Sequence, residues 1–109
     1  MIRITAVYPN GADSHFDADY YGGRHLALAE RLLRPHGLTG VEVSLGVSAL
    51  DGTPPPYWAI GTMLFASVQA FTAAMEACGE ELMADGANYT NVTPVLQVSR
   101  AIGSLESGD

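Results

Sequence analysis

The chain has 109 residues, 48% of them hydrophobic, and carries twelve acidic side chains against five arginines and no lysine, for a formal charge of -7. That length holds one core and excludes two independent ones. The acidic balance excludes a nucleic-acid partner and an anionic membrane surface, and no stretch reaches the roughly 18 apolar residues of a membrane span.

Ile2 to Tyr8 alternates and is rich in β-branched residues, which predicts a first strand stopped by Pro9-Asn10-Gly11. Asp17 is placed to cap a first helix, with Phe16 just before it and Tyr21 four residues after, the spacing of a hydrophobic staple. The helix is expected to run to about Arg34 and to end at Pro35-His36-Gly37. At roughly 100° per residue, Asp17, Tyr21, His25, Leu28 and Leu32 fall on one side of it. The two leucines mark that side as inward, so Asp17, Tyr21 and His25 bring polar groups to a core-facing row. Gly22-Gly23 in the same helix costs about 1 kcal/mol each relative to alanine, a cost that often marks close approach of a backbone or a ligand.

Leu38 to Val47 reads as a second strand with Val41, Val43, Leu45 and Val47 on one face. Three consecutive prolines exclude residues 50 to 56 from a central sheet ladder. Tyr57 to Ala66 is a third strand, apolar on both faces. Ser67 caps a second helix carrying Val68, Phe71, Met75 and Cys78 at helical spacing, with Gly79 as its stop and a short turn over Glu80 to Ala84. Val92 to about Ile102 is the fourth strand. One unit is expected over residues 1–102, followed by a flexible polar tail at 103–109. Cys78, the only cysteine, fits a small core residue in a reducing compartment, so the expected location is the cytoplasm.

The order β-α-β-β-α-β predicts an α+β, ferredoxin-like protomer: a four-stranded antiparallel sheet with both helices on one face. The uncovered face would carry Val41, Val43, Leu45 or their neighbours to solvent, a patch that monomers seldom show. A homodimer is therefore expected.

Several stretches then match a known pattern: Val7-Tyr8-Pro9-Asn10, Phe16-Asp17 with Tyr20-Tyr21 and His25, Pro55-Pro56-Tyr57 with Ala59-Ile60-Gly61, and Asn88-Tyr89-Thr90 with Pro94. In that order and spacing the chain resembles the EthD family of the dimeric α+β barrel superfamily. The resemblance implies a dimer with an eight-stranded barrel between subunits and a pocket between each sheet and its own helices. The wider superfamily includes cofactor-free quinone-forming monooxygenases, polyketide cyclases, muconolactone isomerases and haem peroxidases, and fold alone does not choose among them.

His25 is the first candidate for chemistry, because an imidazole exchanges protons near neutrality; in the superfamily arrangement it would point at a bound ring. Its structural alternative is a bond to a backbone carbonyl or to Glu42. Tyr21, one turn earlier, could bind a substrate oxygen or orient the imidazole. Asp17 is a helix cap or a more distant orienting carboxylate, two helical turns from His25. Trp58 and Tyr89 could wall a flat apolar pocket, and Gln97 needs a partner wherever it points. His15 and His36 are expected in solvent. The histidine spacing and the lone cysteine complete no metal box, and neither a nucleotide fingerprint nor a phosphate loop is present, so no metal and no cofactor are expected. Ligation of a haem by His25 is the superfamily's exception.

Together these features predict a protein that binds a small, apolar, oxygen-bearing molecule such as a phenol, quinone, lactone or polyketide. His25 would serve as general acid/base, with Tyr21, in a cofactor-free oxygenation, cyclisation or isomerisation. The alternative is a non-catalytic accessory subunit for a partner oxygenase in a degradation pathway.

Overall fold

A computed structural model describes residues 1–105. Its elements follow the expected order. The strands are β1 (Ile2–Pro9), β2 (Leu38–Leu45), β3 (Tyr57–Phe65) and β4 (Val95–Arg100). They form one antiparallel sheet in the order β2-β3-β1-β4, and the two helices cover one face of it. The first helix, α1 (residues 18–33), is composite: Ala18–Tyr20 and Leu26–Leu33 are α-helical, and the turn between them, Tyr21–His25, is π-helical. The second helix, α2, is Val68–Ala84.

Local chemistry sets the helix ends. The Asp17 carboxylate accepts from the Tyr20 N–H, and the Ser67 hydroxyl accepts from the Ala70 N–H, each satisfying a backbone donor that the first turn leaves orphaned. Phe16 and Tyr21 close the staple edge to face, their ring centroids 5.0 Å apart. Beyond Leu33 a 3₁₀ turn, Arg34–His36, ends at Gly37, whose φ of 106° is open to glycine at no steric cost.

The π turn changes the expected inward row. Ala29 and Leu33 are the buried residues of α1's second half, whereas Leu28 and Leu32 only flank the core. One extra residue in the turn rotates everything after it, so the sides of the helix before and after the turn are not in α-helical register. Gly79 does not stop α2: it is buried within the helix, and a Cβ there would sit 3.4 Å from the Met75 sulfur. That is ordinary contact within the same helix, and α2 continues five residues further to Ala84.

The alternation of β2 is the expected one, and register decides which face each set takes. Register pairs Val41 with Met63 and Val43 with Gly61, and all four border the space beneath the helices. The outer face instead presents Gly40, Glu42 and Ser44 from β2, Val7 from β1, Ile60 and Leu64 from β3, and Val95 and Gln97 from β4. β4 is shorter than expected because a turn at Thr90–Val92, closed by the Thr90 hydroxyl, precedes it. Gly103 to Leu105 have no regular structure, and the remainder of the expected tail lies outside the described residues. Among the described residues no helix is long and apolar enough to cross a membrane.

Candidate active site

Between the sheet and the helices lies a cavity of about 380 Å³, within the ordinary range of small-molecule sites. Most of its wall is aliphatic: Ile4 and Ala6 of β1, Val41 and Val43 of β2, Met63 of β3, Leu26 of α1 and Met75 of α2. Tyr8, Tyr21, His25 and Tyr89 meet at one end of the cavity, and Thr62, Thr90, Asn91 and Thr93 also line it.

The π turn builds this end. Its signature bond runs from the Leu26 N–H to the Tyr21 carbonyl, five residues back, and is shared with Gly23. In an α-helix, residues four apart are displaced about 40° around the axis. The widened turn shifts that displacement to the other side, and Tyr21 and His25 lie nearly parallel across it, 17° apart with centroids at 5.5 Å. The Gly22-Gly23 pair sits at this turn, and a Cβ at either would meet nothing within 4 Å. No close approach requires these glycines. Their low helix propensity instead lowers the cost of leaving the α-helical ladder.

Tyr21 and Tyr89 are buried, as is Tyr8. The Tyr21 hydroxyl reaches the backbone of Gly61 on β3 so closely that a side chain at that position would collide with it. The Tyr8 and Tyr89 hydroxyls share a hydrogen bond of 2.7 Å. Burial pushes all three phenols above their ordinary value, which keeps them protonated throughout the neutral range.

His25 is held from outside the cavity by Asp85, with Nδ1 2.9 Å from Oδ2. Asp85 is the residue that ends α2, and it also accepts from the Tyr20 hydroxyl at 2.8 Å and from the Asn88 side-chain amide at 2.9 Å. Desolvation pushes the Asp85 carboxyl up, but the hydrogen bonds from His25, Asn88 and Tyr20 outweigh it and hold the group below its ordinary value. A carboxylate at a helix C-terminus opposes the macrodipole, at about 0.3–1 kcal/mol, so its three donors must compensate. Being ionised, Asp85 can only accept, which assigns the proton on the ring to Nδ1. The other nitrogen, Nε2, then faces inward, 3.4 Å from the Tyr89 hydroxyl.

Of the residues singled out from the sequence, His25, Tyr21 and Tyr89 come together on the cavity wall. Asp17 is exposed at the helix start, where it serves as the cap. Trp58 lies outside the cavity lining, stacked on Phe16 with its indole N–H donating to Ser14. Gln97 is exposed on the outer face of β4 and donates to Ser99. His15 and His36 are exposed. Asp85 and Tyr8 belong to the site but were not singled out. Tyr8 stands at the end of the first expected strand and within the Val7-Tyr8-Pro9-Asn10 match, and Asp85 falls between the expected elements; its one signal is an acidic residue set against a helix C-terminus. Among the described residues no group of three or more His, Cys, Asp or Glu side chains could hold a metal ion.

The EthD domain family model matches residues 10–93. An EthD-like protein from Ralstonia eutropha JMP134 is 31% identical, with a TM-score of 0.86 over 95% of this chain and 94% of that one. An EthD-family protein from Bacillus halodurans C-125 is 17% identical, with a TM-score of 0.75 over 94% of this chain and 99% of that one. A dimeric ferredoxin-like protein from an uncultured marine organism shares the fold at 9% identity, with a TM-score of 0.56 over 98% of this chain and 100% of that one. No curated protein matches the chain.

Proposed function

This chain belongs to the EthD domain family, and from that premise we propose that it is a cytoplasmic homodimer. Each subunit binds a small, largely apolar, oxygen-bearing molecule and moves a proton on it without a cofactor. Phenols, quinones, lactones and polyketide-like compounds are the substrate classes, and oxygenation, cyclisation or isomerisation are the reaction types. One observation carries this conclusion: a histidine oriented by an ionised carboxylate on the wall of a mostly aliphatic cavity. A general base needs a fixed tautomer within reach of the proton it takes, and His25 has its Nδ1 fixed by Asp85 and its ring on the cavity wall. Proton transfer by one placed side chain contributes about 10²–10⁴-fold, sufficient for an activated phenol or enolisable carbonyl and insufficient for an inert ether.

Two observations support the pairing of subunits. The outer sheet face exposes Ile60 at 38% and Val95 at 59%, and a neighbour of the same fold is described as dimeric.

The test is a thermal-shift screen of those four compound classes against wild type and His25→Ala. A ligand at a hundred times its Kd adds about 2.7 kcal/mol, a rise of several degrees. The expected outcome is a class that stabilises wild type and is turned over by it, with turnover lost in His25→Ala. Stabilisation without turnover in either protein would make the chain a binding module and contradict the catalytic proposal.

A further inference from the structure

The inward nitrogen of His25 is not open space but the partner of a second hydroxyl, and that hydroxyl is the partner of a third. From this connectivity we infer that Asp85, His25, Tyr89 and Tyr8 form one proton relay, in which Tyr8 rather than His25 exchanges the proton with an enolisable ketone or phenol in the cavity. The inference rests on the proposal that His25 is the base and specifies how its basicity reaches the ligand.

The direction of the relay follows from donor and acceptor capacity. Asp85 accepts from the Nδ1–H of His25 at 2.9 Å, so in the neutral ring Nε2 can only accept. The Tyr89 hydroxyl therefore points its proton at Nε2, across 3.4 Å. With that proton committed, the Tyr89 oxygen receives the Tyr8 proton across their 2.7 Å bond. The Tyr8 oxygen is left with lone pairs, and its residue lines the cavity beside Tyr21. The long link is the one at His25, and such bonds commonly tighten when a ligand enters.

The forward step is balanced. The α C–H or the O–H of the ligand gives its proton to the Tyr8 oxygen. Tyr8 passes its own proton to Tyr89, and Tyr89 passes its own to Nε2. The ligand is left as an enolate or phenolate, and the imidazolium is paired with the Asp85 carboxylate. Both tyrosines end as they began, which suits phenols kept neutral by burial. The Tyr21 hydroxyl bonds the Tyr8 oxygen at the same end of the cavity, and as Tyr8 takes up the ligand's proton that donor turns to the new oxyanion. Returning the proton at a second carbon completes an isomerisation with no redox partner. Asp85 touches no ligand in this scheme; it is a positioning residue.

Two readouts test the relay. Nitrogen-15 NMR of the His25 ring reports its tautomer without any ligand. Wild type should show a protonated Nδ1 and a bare Nε2. Asp85→Asn should shift His25 toward a tautomer mixture, and Tyr8→Phe should move the Nε2 resonance although Tyr8 does not touch the ring. A protonated Nε2 in neutral wild-type protein, or an unchanged tautomer in Asp85→Asn, would overturn the relay. In the second readout, proton NMR follows deuterium uptake from D₂O at the α carbon of 2-tetralone. Wild type should accelerate exchange, and Tyr8→Phe and Tyr89→Phe should each lose at least about tenfold, within the range of a general-base contribution. If both phenylalanine variants match wild type while His25→Gln is inactive, His25 acts directly: the relay fails and the base assignment survives. No acceleration by wild type would overturn both.

Discussion

The two ends of the space between sheet and helices are built from the same elements but different side chains. At one end Ile4, Leu33, Leu38, Phe65 and Ala74 close a mainly aliphatic core, with Phe71 set edge to face against Phe65. At the other, Tyr8, Tyr21 and Tyr89 pack around Ala59, with Phe16, Tyr20 and Trp58 at the margin. β1 supplies Ile4 to the first and Tyr8 to the second; α1 supplies Leu33 and Tyr21. The comparison teaches a division of labour along each element. Aliphatic residues with no polar atom secure the fold, and hydroxyl-bearing rings are tolerated only where they can bond one another or a ligand.

The largest expected effect comes from the aliphatic end. Leu33 is fully buried, so Leu33→Ala should lower the unfolding free energy by about 2–5 kcal/mol in urea titrations. If that variant keeps its ligand response near the wild-type level, the division holds. Gly61→Ala sharpens the comparison from the other side. The new methyl would force the Tyr21 ring out of place, at about 1–3 kcal/mol, and ligand binding should fall more than stability does.

The aromatic end should also carry a pH signature. Tyr8, Tyr21 and Tyr89 hold protons in the folded state that the unfolded chain releases near pH 10. Their contribution is complete below that pH and is lost as pH rises above it, so the chain should unfold in alkali, and Tyr89→Phe should flatten the slope. Asp85 works in the opposite direction. Its carboxyl is lowered in the folded state, so its contribution is present above the ordinary value of 3.8 and is lost as pH falls below that value through the lower folded one. Asp85→Asn should reduce the slope of stability against pH in that acid window. The smallest effect belongs to the open glycines. Gly22→Ala should stabilise by about 0.4–1 kcal/mol, because it meets no neighbour and restricts the unfolded chain. The same change favours an α-helical turn over the π turn, so the Tyr21–His25 stack should loosen as stability rises, an opposition visible in the His25 chemical shifts.

The elements that could be read from the sequence were those with local causes. Asp17 and Ser67 cap because their side chains reach a backbone N–H three residues on, and the four strands follow from apolar alternation and turn residues. His25 and Tyr21 are recognisable as polar residues on a row shared with leucines, and Tyr89 as an aromatic beside the fourth strand that could wall a pocket. The π turn was not legible, because straight helical periodicity cannot show an inserted residue; the glycine pair was visible, but open space rather than close contact surrounds it. Asp85 was hidden for a different reason. Its partner is 60 residues away in sequence, and nothing local distinguishes a carboxylate that ends a helix from one that orients an imidazole. The side of the sheet taken by Val41 and Val43 likewise depends on register with β3, which hydrophobic alternation in one strand leaves open.

The division between the two ends is tested most directly by intermolecular NOEs from 1-naphthol bound to the wild-type protein. Cross-peaks to the ring protons of Tyr8, Tyr21, His25 and Tyr89, with none to the methyls of Leu33 and Leu38, are the expected result. Cross-peaks confined to those leucines and Phe65, or to the outer sheet face at Ile60 and Val95, would contradict it.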